Sequence, residues 1–269
     1  MTLKLSSWNV SRRNKHLLQD LKRVESEGPD IICLQEFPAE KLDLLAELKA
    51  YTYVQADENF IGKKAQRSTL LKLIILSKLP ISGHQAIRHE RMPYKPWRYI
   101  NFRNLDISFL YIDIEHPAIG PIRLFNVHFE CVTSPSIRIC RFLQVTANFY
   151  RSKTNIICGD FNSFGRPWIN LFVCWFYRNY ALGEIFKDEK KLLQQQFEEH
   201  NLCNHFQDTV TFRKFPFQLD YILTPPSITA LERKVLNVKH GSDHNPIFLK
   251  ITRRLNNRQD YNNSLPMLF

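Results

Sequence analysis

Two regularities in the sequence predict a layered α/β fold. Short β-rich runs recur from end to end, several of them alternating apolar and polar residues, and between them lie stretches whose apolar residues keep helical spacing. Strand runs interleaved with amphipathic helices predict β-sheet covered by helices on its outer faces. No repeat or low-complexity linker divides the 269 residues. One α/β domain over residues 1–252 is therefore expected, followed by a flexible Asn- and Arg-rich tail, 253–269, with little periodicity.

The first strand is expected at residues 3–10, and the first helix over Leu17, Leu18, Leu21 and Val24, stopped by Gly28-Pro29. The apolar run Ile31-Ile32-Cys33-Leu34 predicts a strand at 31–35. Pro38 suits the first turn of a second helix that continues through Leu42, Leu45 and Leu48. Strands follow at 70–77, 107–115 and 122–129, the last reading Ile122-Arg123-Leu124-Phe125-Asn126-Val127-His128 with period two. Helices are expected over 136–150, 166–180 and 188–200, and strands at 155–158, 219–223 and 247–251.

The composition, 44% apolar, is enough for a sizeable core. The net charge of +11 attracts polyanions, for which nucleic acid, anionic lipid headgroups and phosphorylated small molecules all qualify. Residues 1–13 lack the apolar run of a secretory signal, and the longest apolar stretch, 168–177, is too short to cross a bilayer. An intracellular protein without a transmembrane segment is expected. The six cysteines form no CxxC pair, and Cys33 and Cys158 sit inside apolar runs. They read as small buried hydrophobes in a reducing compartment, a structural zinc or disulfide framework being the alternative.

Polar residues of a particular kind close the apolar runs: Trp8-Asn9, Gln35-Glu36, Asn126-Val127-His128, Gly159-Asp160-Phe161-Asn162, Leu219-Asp220-Tyr221 and Ser242-Asp243-His244-Asn245-Pro246. Each alone has an ordinary role as turn former or helix cap. Recurring at strand ends, where α/β folds gather ligands, these carboxylates and imidazoles could converge on one pocket.

In this order the six segments resemble the endonuclease/exonuclease/phosphatase superfamily, over nearly the whole chain from Trp8 to Ile247. Gln35-Glu36, Gly159-Asp160-Phe161-Asn162 and Ser242-Asp243-His244-Asn245-Pro246 are its specific parts. The resemblance implies a four-layer sandwich, two central mixed β-sheets flanked by helices. It also implies a Mg²⁺-dependent phosphoesterase cleaving phosphodiester or phosphomonoester bonds, foremost in nucleic acid. Phospholipid or inositol-phosphate hydrolysis is the rival within enzymes, and a catalytically silent phosphate-binding protein the rival outside them. The presence of every expected metal and phosphate group argues against the silent protein.

A carboxylate such as Glu36 at the end of an apolar strand is costly to desolvate unless paired, protonated or bound to a cation. Mg²⁺ takes one or two carboxylates plus waters and phosphate oxygens, so Glu36 with Asp243 is a sufficient ligand set. The resemblance assigns Glu36 to the metal and adds Asn9, through a carbonyl contact or by orienting Glu36. Mn²⁺ could substitute. The resemblance further gives Asp160 the proton of the attacking water, Asn162 a hydrogen bond to a phosphoryl oxygen, and His244 and His128 the developing phosphate charge. Asp220 would orient His244 and favour its protonated form. Nucleases of the superfamily pair the first His with an acidic residue of the middle strands, yet residues 70–77 contain no carboxylate, which leaves the partner of His128 open.

Arg141, on the helix after His128, is expected either to bind a substrate phosphate or to be a helix-surface charge. Residues 88–103 interleave Arg88, Arg91, Lys95, Arg98 and Arg103 with Tyr94, Trp97, Tyr99 and Phe102. That composition suits a surface holding phosphates and stacking bases, or equally a loop with core aromatics and solvated cations. Residues 168–177 are rich enough in aromatics to rest on a membrane interface if exposed, burial against the sheet being the other reading.

Overall fold

Side-chain alternation along the strands sets the architecture. In β1 (Leu3–Asn9) Leu3 and Leu5 point to one side and Trp8 to the other; in β2 (Ile31–Pro38) Ile31 and Cys33 oppose Ile32 and Leu34. Each strand is therefore apolar on both faces and must be covered on both. The computed structural model, which describes residues 1–60, 70–90, 106–131, 133–165, 169–171, 182–238 and 241–254, shows how.

One sheet runs in the order β12 (Ile228–Val235), β13 (Ile247–Arg253), β1, β2, β5 (Leu71–Ser77), β3 (Thr52–Asp57). The other runs β10 (Cys203–Asn204), β11 (Asp220–Thr224), β9 (Thr154–Asp160), β8 (Gly120–His128), β7 (Asp106–His116), β4 (Asn59–Phe60), with β6 (Ile81–Arg88) also paired to β7. The pairs β1–β2 and β8–β9 are parallel and the others antiparallel, so both sheets are mixed.

Three apolar layers hold four structural ones. Between the sheets Leu3, Leu5, Ile31, Leu73 and Ile75 meet Leu110, Ile112, Leu124, Ile156 and Ile222. Outside the first sheet, Leu17, Leu21 and Val24 of α1 (Leu17–Ser26) cover Trp8, Ile32 and Leu34. Outside the second, Phe142 and Val145 of α2 (Pro135–Thr146) and Leu193 and Phe197 of α4 (Glu189–Glu199) cover Phe125, Val127 and Phe161. A short α3 (Leu182–Ile185) precedes α4. The expected four-layer sandwich is the fold. Asn126 ties the layers internally, its amide donating to Leu34 O and Ile74 O and its carbonyl accepting from Gln35 Nε2 at 2.7 Å.

The helix expected from Pro38 is a 3₁₀ helix, Ala39–Glu47, in which Leu45 is the one buried residue. A single buried side chain gives little of the face packing that sustains an α-helix. Strands β3, β4, β6, β10 and β12 were not expected. They are short or largely exposed, and β3, β10 and β12 are sheet edges, where the polar outward positions blur a period-two signal. The helix expected at 166–180 and the tail after Arg254 lie almost wholly outside the described residues.

Candidate active site

Strand register sets three of the site's side chains abreast. His128 on β8 pairs with Asp160 on β9, and Asp160 pairs with Asp220 on β11. The residue before Asp160 must be glycine: Gly159 has φ +147°, and a Cβ there would lie 1.9 Å from Val127 O. The first sheet supplies Asn9 from the end of β1 and Glu36 from an irregular step in β2. Glu36 (φ +53°) and Asn162 (φ +49°) both hold the left-handed backbone conformation that side chains other than glycine usually avoid, the kind of strain found where a side chain must be aimed.

Asn9 joins the two sheets. Its Nδ2 donates to Glu36 Oε1 at 3.2 Å and to Asp160 Oδ2 at 3.0 Å, while its Oδ1 accepts from Ser11 N at 3.0 Å. Of the two expected roles, the geometry displays the orienting one, since the amide reaches Glu36 while the carbonyl accepts from Ser11 N.

Asp160 is fully buried, and its Oδ2 lies 3.6 Å from Nε2 of both His128 and His244. Burial raises its pKa to about 6, against the pull of His244 and with the push of Asp220. His244 Nδ1 meets Asp220 Oδ2 at 2.9 Å. Burial works against the imidazolium, but Asp220 and Asp160 outweigh it and bring His244 to about 9. The His244 loop is fixed to β1 by Trp8 Nε1 donating to His244 O and Ser242 Oγ donating to Asn9 O.

The partner of His128 is Glu58, a residue the sequence did not single out. It is fully buried where the chain passes from β3 to β4, that is, from one sheet to the other. One carboxylate oxygen binds His128 Nδ1 and the other accepts from Glu36 N at 2.7 Å. Burial disfavours a charged His128, yet Glu58, Asp160 and Glu36 together raise its pKa well above the ordinary value. Asn162 opposes them: its Nδ2 lies 3.0 Å from His128 Nε2 and donates to Phe129 O at 2.9 Å, an arrangement that needs a bare Nε2. Three anions outweigh one amide, so protonation obliges the amide to turn its oxygen to Nε2 and give up Phe129. As observed, Asn162, expected to donate to a phosphoryl oxygen, instead has its Nδ2 against His128 Nε2 and Phe129 O. Only the run Ala56-Asp57-Glu58, acidic after an alternating stretch, could have pointed to Glu58.

Asp243 adjoins His244 in the chain, but its carboxylate pairs with Lys214 Nζ at 2.6 Å. Its pKa is lowered because Lys214 and His244 overcome the effect of burial. Arg141 requires a correction. It is buried, and its guanidinium donates to both oxygens of buried Glu130 and to Glu90 O, so it is engaged with protein partners and does not face solvent as a phosphate-binding group would. The alternative, a helix-surface charge, fails as well. One helical turn earlier Arg138 makes a similar buried pair with Glu189, Nη2 to Oε2 at 2.8 Å, so this face of α2 is anchored by ion pairs. The Arg-aromatic stretch 88–103 lies outside the described residues beyond position 90, and of 168–177 only residues 169–171 are described.

Among the described residues, Asp160, Asp220 and His244 form the one group of ligating atoms close enough to share a cation. With His244 Nδ1 committed to Asp220, that group is better described as a carboxylate–imidazole–carboxylate chain. Glu36 is the more open ligand. Its side chain is 27% exposed, and among the described residues its oxygens meet the Asn9 amide, Arg12 N at 3.4 Å and, more distantly, His128 Nε2 at 4.0 Å.

The sequence profile of the Endonuclease/Exonuclease/phosphatase family matches residues 6–244. Comparison with curated proteins found no match. Solved structures share the fold. An endonuclease/exonuclease/phosphatase from Beutenbergia cavernae superposes with TM-score 0.68 at 15% identity, covering 94% of this chain and 72% of its own. ANGEL2, a 2′,3′-cyclic phosphatase solved with adenosine-2′,3′-vanadate, gives 0.64 at 15% identity over 95% and 96%. The human Nocturnin catalytic domain gives 0.61 at 13% identity over 94% of each chain.

Proposed function

The chain belongs to the endonuclease/exonuclease/phosphatase family, a family of phosphoesterases, and from that premise we propose that it is a Mg²⁺-dependent hydrolase of phosphoester bonds in nucleic acid. The observation that carries this reading is the convergence of two imidazole Nε2 atoms, each 3.6 Å away, on the Asp160 carboxylate. With a pKa of about 6, Asp160 is ionised at neutral pH yet basic enough to take a proton from a water. His244, held protonated by Asp220, directs Nε2 at the same space, where it would donate to a phosphoryl oxygen as negative charge develops. His128 presents Nε2 from the facing strand, and Asn162 would exchange a protein partner for a phosphoryl oxygen.

The donor set fits a hard cation. Glu36, Glu58, Asp160 and Asp220 outnumber the two imidazolium groups, and among the described residues Asp220 Oδ1 is buried with no hydrogen-bond partner. Glu36 would hold the ion, oriented by Asn9, and Asp243 would join once released from Lys214. When bound, Mg²⁺ would polarise a phosphoryl oxygen and neutralise charge at the reacting phosphate, and Mn²⁺ suits the same oxygens. A polynucleotide substrate is supported by the net charge of +11 and by the nucleotide analogue in the ANGEL2 structure.

The test is a panel of DNA, RNA, inositol phosphate and sphingomyelin substrates, assayed with Mg²⁺ and with excess chelator. Hydrolysis is expected on polynucleotide with Mg²⁺ only, and Asp160→Asn should lower turnover by about a thousandfold. Full turnover in chelator would remove the metal from the mechanism, and activity confined to lipid or inositol phosphate would replace the substrate.

A further inference from the structure

Residues 11–16, which follow Asn9, are fixed far more firmly than an arginine-rich surface loop requires. Ser11 N is held by Asn9 Oδ1, Asn14 N donates to Ser11 O at 2.9 Å, and Arg12 N points at Glu36 Oε2. Asn14 is fully buried, its amide donating to Asp20 Oδ2 at 3.0 Å and its carbonyl Oδ1 accepting from His16 N at 2.8 Å. Gly241 makes room for it, since a Cβ there would lie 1.9 Å from Asn14 Oδ1. Lys41 Nζ donates to Asn14 O at 2.6 Å.

All these ties use backbone or the Asn14 side chain. The side chains of Arg12 and Arg13 are exposed and have no partner among the described residues. A firmly held loop thus carries two guanidinium groups with no partner among the described residues, and its Arg12 backbone adjoins Glu36 on the rim where the reacting phosphate would sit. Their ordering cost is largely met before binding, which favours phosphate recognition by arginine.

We infer that Arg12 and Arg13 form a phosphate shelf that docks a polynucleotide strand next to the scissile bond, a specificity element that deepens the phosphoesterase reading and rests on it. The shelf is short. In the cleft beyond, Lys41 is spent on Asn14 and the exposed Lys15 is offset by Glu40 and Asp43, so the two arginines grip the one or two phosphates flanking the site. Such a shelf favours a substrate with several phosphates in a row over a lone phosphomonoester.

Binding of a labelled single-stranded oligonucleotide is measured by fluorescence anisotropy in EDTA from 50 to 200 mM KCl, so that no turnover is involved. Replacing both residues, Arg12→Ala with Arg13→Ala, should weaken binding at least about tenfold at low salt and reduce the slope of log K against log [salt] by about 1.4, roughly 0.7 per lost phosphate contact. The doubly Lys-substituted protein, which keeps the charge, should retain the slope. An unchanged slope in the Ala variant overturns the shelf. So does loss of binding to phosphatidylserine vesicles with oligonucleotide binding intact, which would make the loop a lipid contact. Hydrolysis of bis(p-nitrophenyl) phosphate by the wild-type protein with Mg²⁺ is measured in parallel. A reduced slope without hydrolysis supports the shelf and removes the hydrolase reading, whereas hydrolysis with an unchanged slope removes the shelf alone.

Discussion

His89 lies at the end of β6, buried against Phe109 and Phe129, with Nδ1 donating to Gln144 Oε1 at 2.7 Å. Among the described residues its buried Nε2 has no partner, so a second proton would add an N–H that none of them accepts. Burial first, and then the nearby Arg141 cation, lower its pKa to about 3. The sign of the linkage follows. Between this value and the ordinary 6.5 the unfolded chain binds a proton that the native protein refuses, so stability falls as pH drops through that window, by about 1.4 kcal/mol per pH unit. His89→Asn, which keeps a donor for Gln144 and does not titrate, should lose less stability on acidification. Urea unfolding at pH 7 and pH 5 should show a difference between the two proteins on the order of 2 kcal/mol in the pH-dependent loss. Equal losses would show that His89 is charged in the folded state or exposed to solvent.

At the scale of strands and helices, the site depends on register. The row His128, Asp160, Asp220 exists because β8, β9 and β11 are aligned residue against residue, and that alignment depends on Gly159, whose missing Cβ lets the Val127 carbonyl approach. Gly159→Ala should therefore separate β8 from β9, cost about 3 kcal/mol or more of stability, and take catalysis with it. Thermal melting and turnover report both, and a melting point equal to wild type would sink the idea. These strands were legible in the sequence because each is apolar on one or both faces, and the polar groups at their ends marked the rim. Glu58 escaped because it sits at a passage between the sheets and not at the end of an apolar run. Arg141 was misplaced because its partner, Glu130, lies on a loop whose approach to α2 only the folded chain reveals. The edge strands β3 and β12 were missed for another reason: they are largely exposed, and polar residues at their outward positions blur the period-two signal.

For the whole molecule, the decisive fact is that the site straddles the sandwich. Asn9 and Glu36 belong to the first sheet, His128, Asp160 and Asp220 to the second, and Glu58 to the passage between them. In the metal-free protein the carboxylates of the two sheets repel one another across this rim, restrained by the Asn9 amide that reaches both Glu36 and Asp160. A divalent ion held by Glu36 would turn that repulsion into a tie between sheets, and because only the folded chain assembles the site, binding adds to folding stability. At a Mg²⁺ concentration tenfold above Kd the gain is about 1.4 kcal/mol, or roughly 3 to 5 °C in Tm for a chain of this size. Glu36→Gln should behave in the opposite sense on both sides of the comparison. It removes one of the mutually repelling charges, so its Tm in EDTA should equal or exceed that of the wild type, and it removes the ligand, so added Mg²⁺ should leave that Tm unmoved. Calorimetry of the two proteins, with and without Mg²⁺ at matched ionic strength, separates this from general salt stabilisation: a Mg²⁺ shift of equal size in Glu36→Gln would place the ion elsewhere on the surface.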